Sequence, residues 1–553
     1  MRLEADDPSS VTIESALDRV ERRTLSRRDL LKRGGVLGAG LGLAGVTGAA
    51  ASAVAAPAEH PGRRSSRWSE HDPRVVVVGA GLAGVTAAYQ LAKQGIRVEL
   101  FESRDRIGGR CWTSRDWADG QTAEHGGEFI DTRHVHLLQL VKELHLDVDD
   151  LWKGWVGGSV WLNHVDGKAL AHSEIKSKLD PLVSRITDEA KRIGVYRSGK
   201  PSDAAYSHGT ATPAAVRLDR LTMLEWLDKE FPGLAGEPLG HYLNEIMSGW
   251  YGLDLDGLSA CTWIDYFLIP YPGGDERWHV RGGNDLVPRR AAARLPKGVL
   301  HLERPLRAVR HLADGGYELR FGGRSWPVRA DFVILALPFT TLRSIDLSRA
   351  DFGPHTMASI EQLAMGHDGK VLLQYDQRFN HFDTPFGVWS GGMEHTPPSF
   401  ETWESSTDEP GKSGLLTVYP GGRSGAKTFA APKVVHGVCP EPLRSKTVGW
   451  IDDAVPGTAA HFNGRSWVDW WTGDPWTLGS YAAFGPRQMT RFWHGVGMHD
   501  GRVHFAGEHT STYSQGFLNG GVESGDRAAI EVMRAIGVRV PQRLSSLPYS
   551  TFT

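Results

Sequence analysis

The sequence has little of what several protein classes require. Its only three cysteines, Cys111, Cys261 and Cys439, are widely separated, so we expect neither a disulfide framework nor a metal cluster. A net charge of −3 gives no global basic field, and nothing therefore calls for nucleic acid or anionic lipid as a partner. No G-x-S-x-G motif occurs, which disfavours a serine hydrolase. The 553 residues nevertheless suffice for two domains with sizeable cores.

The first segment indicates targeting rather than structure. Residues 26–32 contain the pair Arg27 and Arg28, then two leucines and a lysine, and residues 34–56 are rich in glycine and alanine. This arrangement resembles a twin-arginine export signal, which we place at 1–56. An uncleaved membrane anchor is disfavoured because so much glycine and alanine gives weak hydrophobicity, and a basic helix with no export role is a poorer alternative. The polar stretch 57–73 is predicted to be a linker.

Residues that follow the linker predict a dinucleotide-binding fold. The valine run 75–78 has the character of a central parallel strand and leads directly into Gly79, Gly81 and Gly84. Gly79 allows a tight turn, Gly81 lets the backbone approach a pyrophosphate, and Gly84 lets the next helix, at about 82–94, pack closely. An ordinary strand-to-helix turn could carry the same glycines, so the glycines indicate nucleotide binding only together with the residues that follow them.

That continuation is a second strand, 97–101, which ends at Glu102, where an acid would accept hydrogen bonds from ribose hydroxyls. Two glycines, including Gly109, and three arginines, including Arg104 and Arg110, follow, and arginines suit the long pyrophosphate of FAD. This stretch resembles the second FAD-binding element of the flavin amine oxidase family, which includes monoamine, polyamine and L-amino-acid oxidases. The resemblance implies that Glu102 holds ribose and that Arg104 and Arg110 lie near the phosphates.

A glycine pair further along resembles the family segment that passes close to the flavin ring. Gly126 and Gly127 lead into Glu128 and Phe129, and in the family the backbone N–H groups of this stretch point at the flavin. Phe129 stands where several L-amino-acid oxidases carry the arginine that pairs with the substrate carboxylate. Its presence favours an amine over an amino acid as substrate.

Asp131 has two interpretations. It lies near the position of an acid that lines the substrate tunnel in some polyamine oxidases. It could also cap the helix predicted over 135–144, whose apolar residues recur at helical spacing. We favour the cap.

Two later segments match the family at positions that face the cofactor. Leu306 lies where main-chain groups touch the adenine. Lys370 begins an apolar strand, where a lysine is usually a solvated edge residue. In the resembling enzymes this lysine holds a water against flavin N5, and its charge would favour the anionic reduced flavin. The rest of the match favours this second role.

The carboxyl-terminal part completes the resemblance. Ser480 stands where covalent monoamine oxidases carry the cysteine that bonds the flavin, so we expect non-covalent FAD. Tyr481 and Phe517 occupy the positions of two rings that flank the substrate beside the flavin, although core packing is the alternative. Glu508 belongs to a strand-to-acid motif, and the helix that begins near Phe517 and Leu518 would direct its N–H groups at the flavin carbonyls.

The resemblance implies an α/β protein with two domains. A discontinuous Rossmann-like FAD-binding domain is assigned to 74–150, 280–345 and 476–540. A second, α+β substrate-binding domain of amine-oxidase type is assigned to 151–279 and 346–475.

The expected activity is oxidation of a primary amine to an imine, with O₂ reduced to hydrogen peroxide. An L-amino-acid oxidase is the closest alternative, because another arginine or Tyr481 could hold a carboxylate. A desaturase or isomerase of an apolar ring or polyene shares the glycine and arginine motifs, but Lys370 and the aromatic pair argue against it. A protein that uses FAD only structurally is disfavoured by the intact flavin-facing motifs. We expect a small-molecule amine or amino acid, O₂ and the twin-arginine export machinery as partners, with a homodimer left open.

Overall fold

The structure is a computed structural model that describes residues 72–153, 159–197, 200–269, 274–323, 326–430 and 434–549. The predicted export signal at 1–56 and nearly all of the linker at 57–73 lie outside the described residues. No helix in the described ranges is long and apolar enough to cross a membrane.

The helices are short apart from α3, α6 and α14, and their bounds in chain order are α1 Leu82–Lys93, α2 Val135–Glu143, α3 His172–Ile193, α4 Pro213–Leu218, α5 Met223–Glu230, α6 Pro238–Tyr251, α7 Cys261–Leu268, α8 Leu286–Ala293, α9 Phe339–Leu342, α10 Pro354–Gln362, α11 Gly422–Phe429, α12 Leu443–Ala454, α13 Met489–Phe492, α14 Leu518–Ala535 and α15 Gln542–Ser545.

The strands in chain order are β1 Arg74–Val78, β2 Arg97–Phe101, β3 Thr113–Ser114, β4 Ala123–Glu124, β5 Val148–Asp150, β6 Val160–Val165, β7 Lys168–Leu170, β8 Tyr196–Arg197, β9 Lys200–Pro201, β10 Trp278–Val280, β11 Leu300–His301, β12 Leu306–His311, β13 Tyr317–Phe321, β14 Val328–Ala330, β15 Phe332–Leu335, β16 Asp346–Arg349, β17 Ala364–Met365, β18 Lys370–Tyr375, β19 Asp383–Thr384, β20 Gly387–Thr396, β21 Phe400–Glu404, β22 Gly414–Tyr419, β23 His436–Gly437, β24 Phe462–Asp469, β25 Ala482–Ala483 and β26 Val503–Phe505.

A parallel five-stranded sheet in the order β11-β2-β1-β15-β26 forms the cofactor half of the molecule. Successive side chains of a strand point to opposite faces, so the valines of β1 serve two cores. Val75 and Val77 pack with helices α1 and α14, whereas Val76 and Val78 pack toward the four-stranded sheet β14-β13-β12-β16. Both faces are thus covered, which explains why the run is apolar throughout.

Helices α1 and α14 pack very closely against each other. A Cβ at Gly525 of α14 would overlap the carbonyl oxygen of Ala83 in α1. The glycine therefore allows the two helices to approach at the point where their amino ends reach the same edge of the sheet. This approach places both helix amino ends beside one cavity.

A nine-stranded sheet in the order β23-β24-β18-β22-β21-β20-β6-β7, with β19 paired to β20, forms the other half. Strand β18 lies between β24 and β22, and all six of its residues are buried. Its first residue, Lys370, pairs with Asp469 of β24. The central position of β18 explains how a lysine at a strand start becomes buried rather than solvated.

The two large sheets draw on the chain segments assigned to the two domains. The five-stranded sheet uses strands from 74–150, 280–345 and 476–540, and the nine-stranded sheet uses strands from 151–279 and 346–475. The exact domain boundaries stay a prediction.

Candidate active site

A cavity of about 780 Å³ runs between the two sheets. Residues that follow four of the parallel strands line it: Gly79 after β1, Glu102 after β2, Ala336 after β15 and Gly507 after β26. In open α/β sheets ligands bind outside the carboxyl ends of the strands, and this cavity has that position.

The glycine motif forms a cradle at one end of the cavity. Gly79 has φ +95° and a Cβ there would lie 2.5 Å from the Ala336 carbonyl oxygen, while a Cβ at Gly84 would overlap the oxygen of Gly79. At Gly81, by contrast, a Cβ would meet no protein atom within 4 Å. Helix α1 begins at the next residue, so its unpaired N–H groups reach the cavity. The cradle therefore leaves room for a phosphate group against the helix amino end.

Glu102 is held in place at the end of β2. Its Oε2 accepts a hydrogen bond from Ala80 N at 2.7 Å and its Oε1 accepts one from Arg104 N at 2.9 Å. Burial raises the pKa of this carboxyl, while the backbone hydrogen bonds act in the opposite direction. Glu102 thus joins the glycine turn to the arginine-containing loop.

Two arginines of that loop line the cavity, and both are paired with acids. Arg104 Nη2 contacts Asp474 Oδ2 at 2.7 Å, and Arg110 Nη1 contacts Glu508 Oε1 at 3.1 Å and also the carbonyl oxygen of Ser480. These acids lie roughly 370 to 400 residues further along the chain than the arginines. The ion pairs hold the two guanidinium groups at the cavity wall.

The pair of Arg104 and Asp474 belongs to a mostly buried chain in which acidic side chains alternate with arginine and histidine side chains. His436 contacts Asp474 Oδ2 through Nε2 and Asp469 Oδ1 through Nδ1, each at 2.8 Å. Asp469 Oδ2 in turn lies 2.8 Å from Nδ1 of His125, which lines the cavity. Although burial acts to raise it, the hydrogen bond with His436 and the charge of Arg104 lower the pKa of Asp474 to about 2. This chain ties the loop after β2 to the nine-stranded sheet.

Lys370 and Glu128 form a buried ion pair in the cavity wall. Lys370 Nζ donates to Glu128 Oε2 at 2.7 Å and to the Glu124 carbonyl oxygen at 3.0 Å. Trp403 Nε1 donates to the other carboxylate oxygen, Oε1, at 3.0 Å. Although burial acts to raise it, the charge of Lys370 holds the pKa of Glu128 below its ordinary value. The pair is fully formed and places a positive charge beside the cavity.

Aromatic rings line the cavity near this ion pair. Tyr481 donates from its hydroxyl to the Gly249 carbonyl oxygen at 2.7 Å, and Phe517 lies 5.2 Å from the His134 ring, centroid to centroid. A Cβ at Gly516, next to Phe517, would lie 3.6 Å from Tyr481 Cδ2, so the loop that leads to Phe517 packs against Tyr481. Phe129 stacks obliquely on Trp403 with centroids 5.4 Å apart. The result is a pocket whose wall combines aromatic rings with acidic side chains.

The family model described as "Flavin containing amine oxidoreductase" matches residues 82–533. The chain belongs to this family. FAD is therefore the cofactor, and the protein is an FAD-dependent oxidoreductase that acts on amines.

Several known family members align with most of this amine oxidoreductase. It is 26% identical over 495 residues to amine oxidase [flavin-containing] B of Sus scrofa, covering 85% of this chain and 87% of that protein. It is 26% identical over 485 residues to amine oxidase [flavin-containing] A of Canis lupus familiaris, covering 84% and 85%.

Two solved structures show that the fold is shared. Cyclohexylamine oxidase from Brevibacterium oxydans IH-35A superposes with a TM-score of 0.70 at 23% identity, covering 84% of this chain and 100% of that one. Putrescine oxidase bound to putrescine superposes with a TM-score of 0.67 at 21% identity, covering 84% and 99%.

The predicted cofactor residues fit FAD in most positions. Gly79, Gly81, Glu102, Arg104, Gly109, Arg110, Gly126, Gly127, Glu128, Phe129, Glu508, Phe517 and Leu518 all line the cavity, as do Lys370 and Tyr481. The open space at Gly81 and the amino ends of α1 and α14 suit phosphate oxygens and flavin carbonyls. Their individual roles stay predictions. Gly84 acts through the packing of α1.

Leu306 is not among the lining residues. It begins β12, is 5% exposed and packs in the core beneath the five-stranded sheet. The structure brings the preceding chain to the cofactor loop instead, because Glu303 N donates to the Arg104 carbonyl oxygen and Arg304 N to that of Glu102. A main-chain contact from Leu306 to adenine stays a prediction.

The helix-cap interpretation of Asp131 is wrong. Helix α2 begins at Val135 after His134, and no side chain caps it. Asp131 Oδ1 instead accepts hydrogen bonds from Asp275 N at 3.2 Å and Glu276 N at 2.8 Å, and the residue lines the cavity. Burial and the charge of Glu276 raise the pKa of Asp131 to about 7.

Several lining residues carry no signal in the sequence. Glu401 and Trp403 lie two residues apart on β21, whereas Tyr419 lies on β22, Asp265 on α7 and Asp368 in the loop before β18. No motif links these elements, because only the three-dimensional fold brings them together. No group of side chains in the described ranges could hold a metal ion.

Proposed function

We propose that this FAD-dependent enzyme oxidises the C–N bond of a primary amine to an imine, with O₂ reduced to hydrogen peroxide. An L-amino acid is the alternative substrate class. An L-amino acid differs from a primary amine by one carboxylate. The charge of the cavity wall therefore favours one substrate class over the other.

The charge of the substrate half of the cavity carries the proposal. Five carboxyl side chains from this half line the cavity: Asp203, Asp265, Glu276, Asp368 and Glu401. Burial raises the pKa of Asp368 to about 8, so this group adds little negative charge near pH 7. The lysine in the same wall, Lys370, is already paired with Glu128 at 2.7 Å. A wall with this sign attracts an ammonium group and repels a substrate carboxylate.

The aromatic residues supply orientation. Tyr481 and Phe517 both line the cavity, and their ring faces can hold an alkyl amine with its reacting carbon toward the flavin. Lys370 places a positive charge that favours negative charge on the flavin side of the cavity. Bound FAD would supply the redox chemistry, which is acceptance of a hydride equivalent from the carbon next to nitrogen and reduction of O₂ by the same electrons. Water then hydrolyses the imine product.

The test compares two molecules that differ only in the carboxylate. Purified enzyme is mixed anaerobically with 2-phenylethylamine or with L-phenylalanine, the flavin absorbance is followed, and air is then admitted. We expect bleaching by the amine, with recovery and peroxide after air, and much slower bleaching by the amino acid. Faster bleaching by L-phenylalanine would establish the amino-acid alternative. If a panel of amines and amino acids all fail to bleach the flavin, the desaturase or isomerase reading replaces both.

We also propose export by the twin-arginine pathway, supported by the sequence of residues 26–56 alone. Replacement of Arg27 and Arg28 by lysine should leave the protein inside the cell. Unchanged export of that variant would remove the proposal. A homodimer stays a prediction.

A further inference from the structure

The entrance of the cavity can be located from its exposed lining residues. Four lining side chains are exposed: Arg133, Val135 at 38%, Tyr513 at 52% and Pro548. Arg133 and Val135 lie at the start of α2, Tyr513 lies in the loop before α14, and Pro548 lies in the carboxyl-terminal segment. The opening to solvent is therefore bordered by three separate segments.

The carboxyl-terminal segment lies outside the part of the chain that the family model matches. The family model ends at residue 533, whereas helix α15 and the residues that follow it as far as Tyr549 pack onto the cofactor half. Leu544 is 1% exposed in the core, and Arg543 contacts Glu143 and donates to Gln90 Oε1 at 2.9 Å. The segment is thus anchored by both apolar and polar contacts before it reaches the entrance.

One histidine joins the start of α2 to the carboxyl-terminal segment and to helix α14. His136 of α2 contacts the Pro548 carbonyl oxygen through Nε2 at 2.6 Å and Asp526 Oδ2 of α14 through Nδ1 at 3.3 Å. The Pro548 oxygen can only accept, so Nε2 carries the hydrogen. The Tyr549 ring packs edge-on against the same imidazole with centroids 4.8 Å apart. His136 therefore fixes Pro548 against the start of α2.

We propose that the segment 541–549 forms one side of the substrate entrance, that His136 holds it in place, and that it limits the size of the amine that enters. Only the size limit rests on the proposed amine oxidation. The position of the segment at the opening follows from the lining and hydrogen-bonding geometry.

The test ends the chain after Leu547, which removes Pro548 and Tyr549 but keeps α15 and the buried Leu544. His136→Phe keeps an aromatic ring at position 136 but removes the hydrogen bonds to Pro548 and Asp526. Ser545→Ala changes an exposed residue of the same segment and serves as the matched control. The melting temperature of each variant shows whether it is folded.

Two measurements are made on each holoenzyme. The first compares two primary amines, the bulky 2-aminoindane, whose amino group is attached to a ring carbon, and the small butylamine. It is the ratio of their second-order rate constants for anaerobic bleaching of the flavin. The second is quenching of the bound flavin's fluorescence by iodide, which needs no substrate. We expect truncation and His136→Phe to raise the bulky-to-small ratio by about fivefold or more, since pocket fit discriminates substrates on that scale, and to increase the quenching.

An unchanged ratio in a folded truncated protein overturns the size limit, whatever the quenching shows. If neither amine bleaches even the unaltered enzyme, the proposed function has failed instead. Iodide quenching then decides whether the segment borders the entrance, and equal quenching with and without residues 548–553 would refute that too.

Discussion

Lys370 combines burial, charge and a single acidic partner. It is 3% exposed and donates to Glu128, which Trp403 also contacts. Removing one member of a buried ion pair leaves the other charge without compensation, so any variant of Lys370 has a structural cost as well as a chemical one. A control variant must therefore separate the structural effect of losing Lys370 from its effect on the chemistry.

Lys370→Met should slow flavin reduction or reoxidation by about 100-fold, the scale expected when one preorganised charge at a reacting centre is lost. FAD should stay bound, because the glycine cradle and the cavity arginines, rather than Lys370, are expected to hold its phosphates. Stopped-flow absorbance measures the two half-reactions separately. Trp403→Phe removes a hydrogen bond to the same Glu128 carboxylate but keeps the lysine, and should have a smaller effect. Equal rates for both half-reactions in the Lys370→Met and unaltered enzymes would remove Lys370 from the site.

At the scale of single residues, local motifs were predictable and long-range partners were not. The positions of Gly79, Gly81 and Glu102 follow from one βαβ unit of continuous chain, and the structure places all three at the cavity. Asp131 was misread because its partners Asp275 and Glu276 lie about 144 residues further along the chain. A nearby helix offered a capping role that the sequence could show, whereas the distant backbone donors left no local signal.

Among the secondary-structure elements, short strands supply contacts that the sequence did not reveal. His279 of β10 lies 2.9 Å from Glu124 of β4, and both are buried. Glu124 also accepts from Thr113 of β3, and its carbonyl oxygen accepts from Lys370. Continuous apolar runs predicted strands such as β1, but two- and three-residue strands are too short to produce a pattern. Their placement depends on these polar contacts.

The contact between β10 and β4 should make stability depend on pH. Although burial acts to lower it, the hydrogen bond with Glu124 raises the pKa of His279 from 6.5 to about 9. A raised pKa stabilises the fold fully below pH 6.5 and loses that contribution as pH rises through about 9. The contribution is at most about 3 kcal/mol.

Urea unfolding midpoints of the unaltered enzyme and of His279→Gln should therefore differ most near pH 6 and converge toward pH 10. His381→Gln, at an exposed position, serves as the control and should follow the unaltered enzyme. A difference that stays constant across this range would show that His279 is not charged in the folded protein.

For the whole molecule, the cavity depends on distant parts of the chain meeting. The resemblance predicted which segments belong to each half, and the five-stranded and nine-stranded sheets use those segments. It could not predict the carboxyl-terminal border of the entrance, because the family model ends at residue 533. The chain of contacts from Arg104 through Asp474 and His436 was hidden for a related reason, since its members come from both halves.

At the scale of the whole molecule, we expect FAD to be held without a covalent bond. Ser480 donates to Asp368 Oδ2 at 2.6 Å and has no sulfur with which to form a thioether. The cysteine among the lining residues is Cys111, and burial raises the pKa of its thiol well above the ordinary value, which keeps it in the unreactive form. Retention of FAD must then rest on the glycine cradle, the paired arginines and the two helix amino ends.

Precipitation with acid should accordingly release all flavin absorbance into the supernatant, because unfolding removes every non-covalent contact at once. The absorbance of the supernatant and of the redissolved pellet at the flavin maximum measures the two fractions. Flavin that stays in the pellet would contradict non-covalent binding. Cys111→Ser would then identify the bond: release from this variant alone would place the attachment at Cys111, whereas continued retention would point to another side chain of the cavity wall.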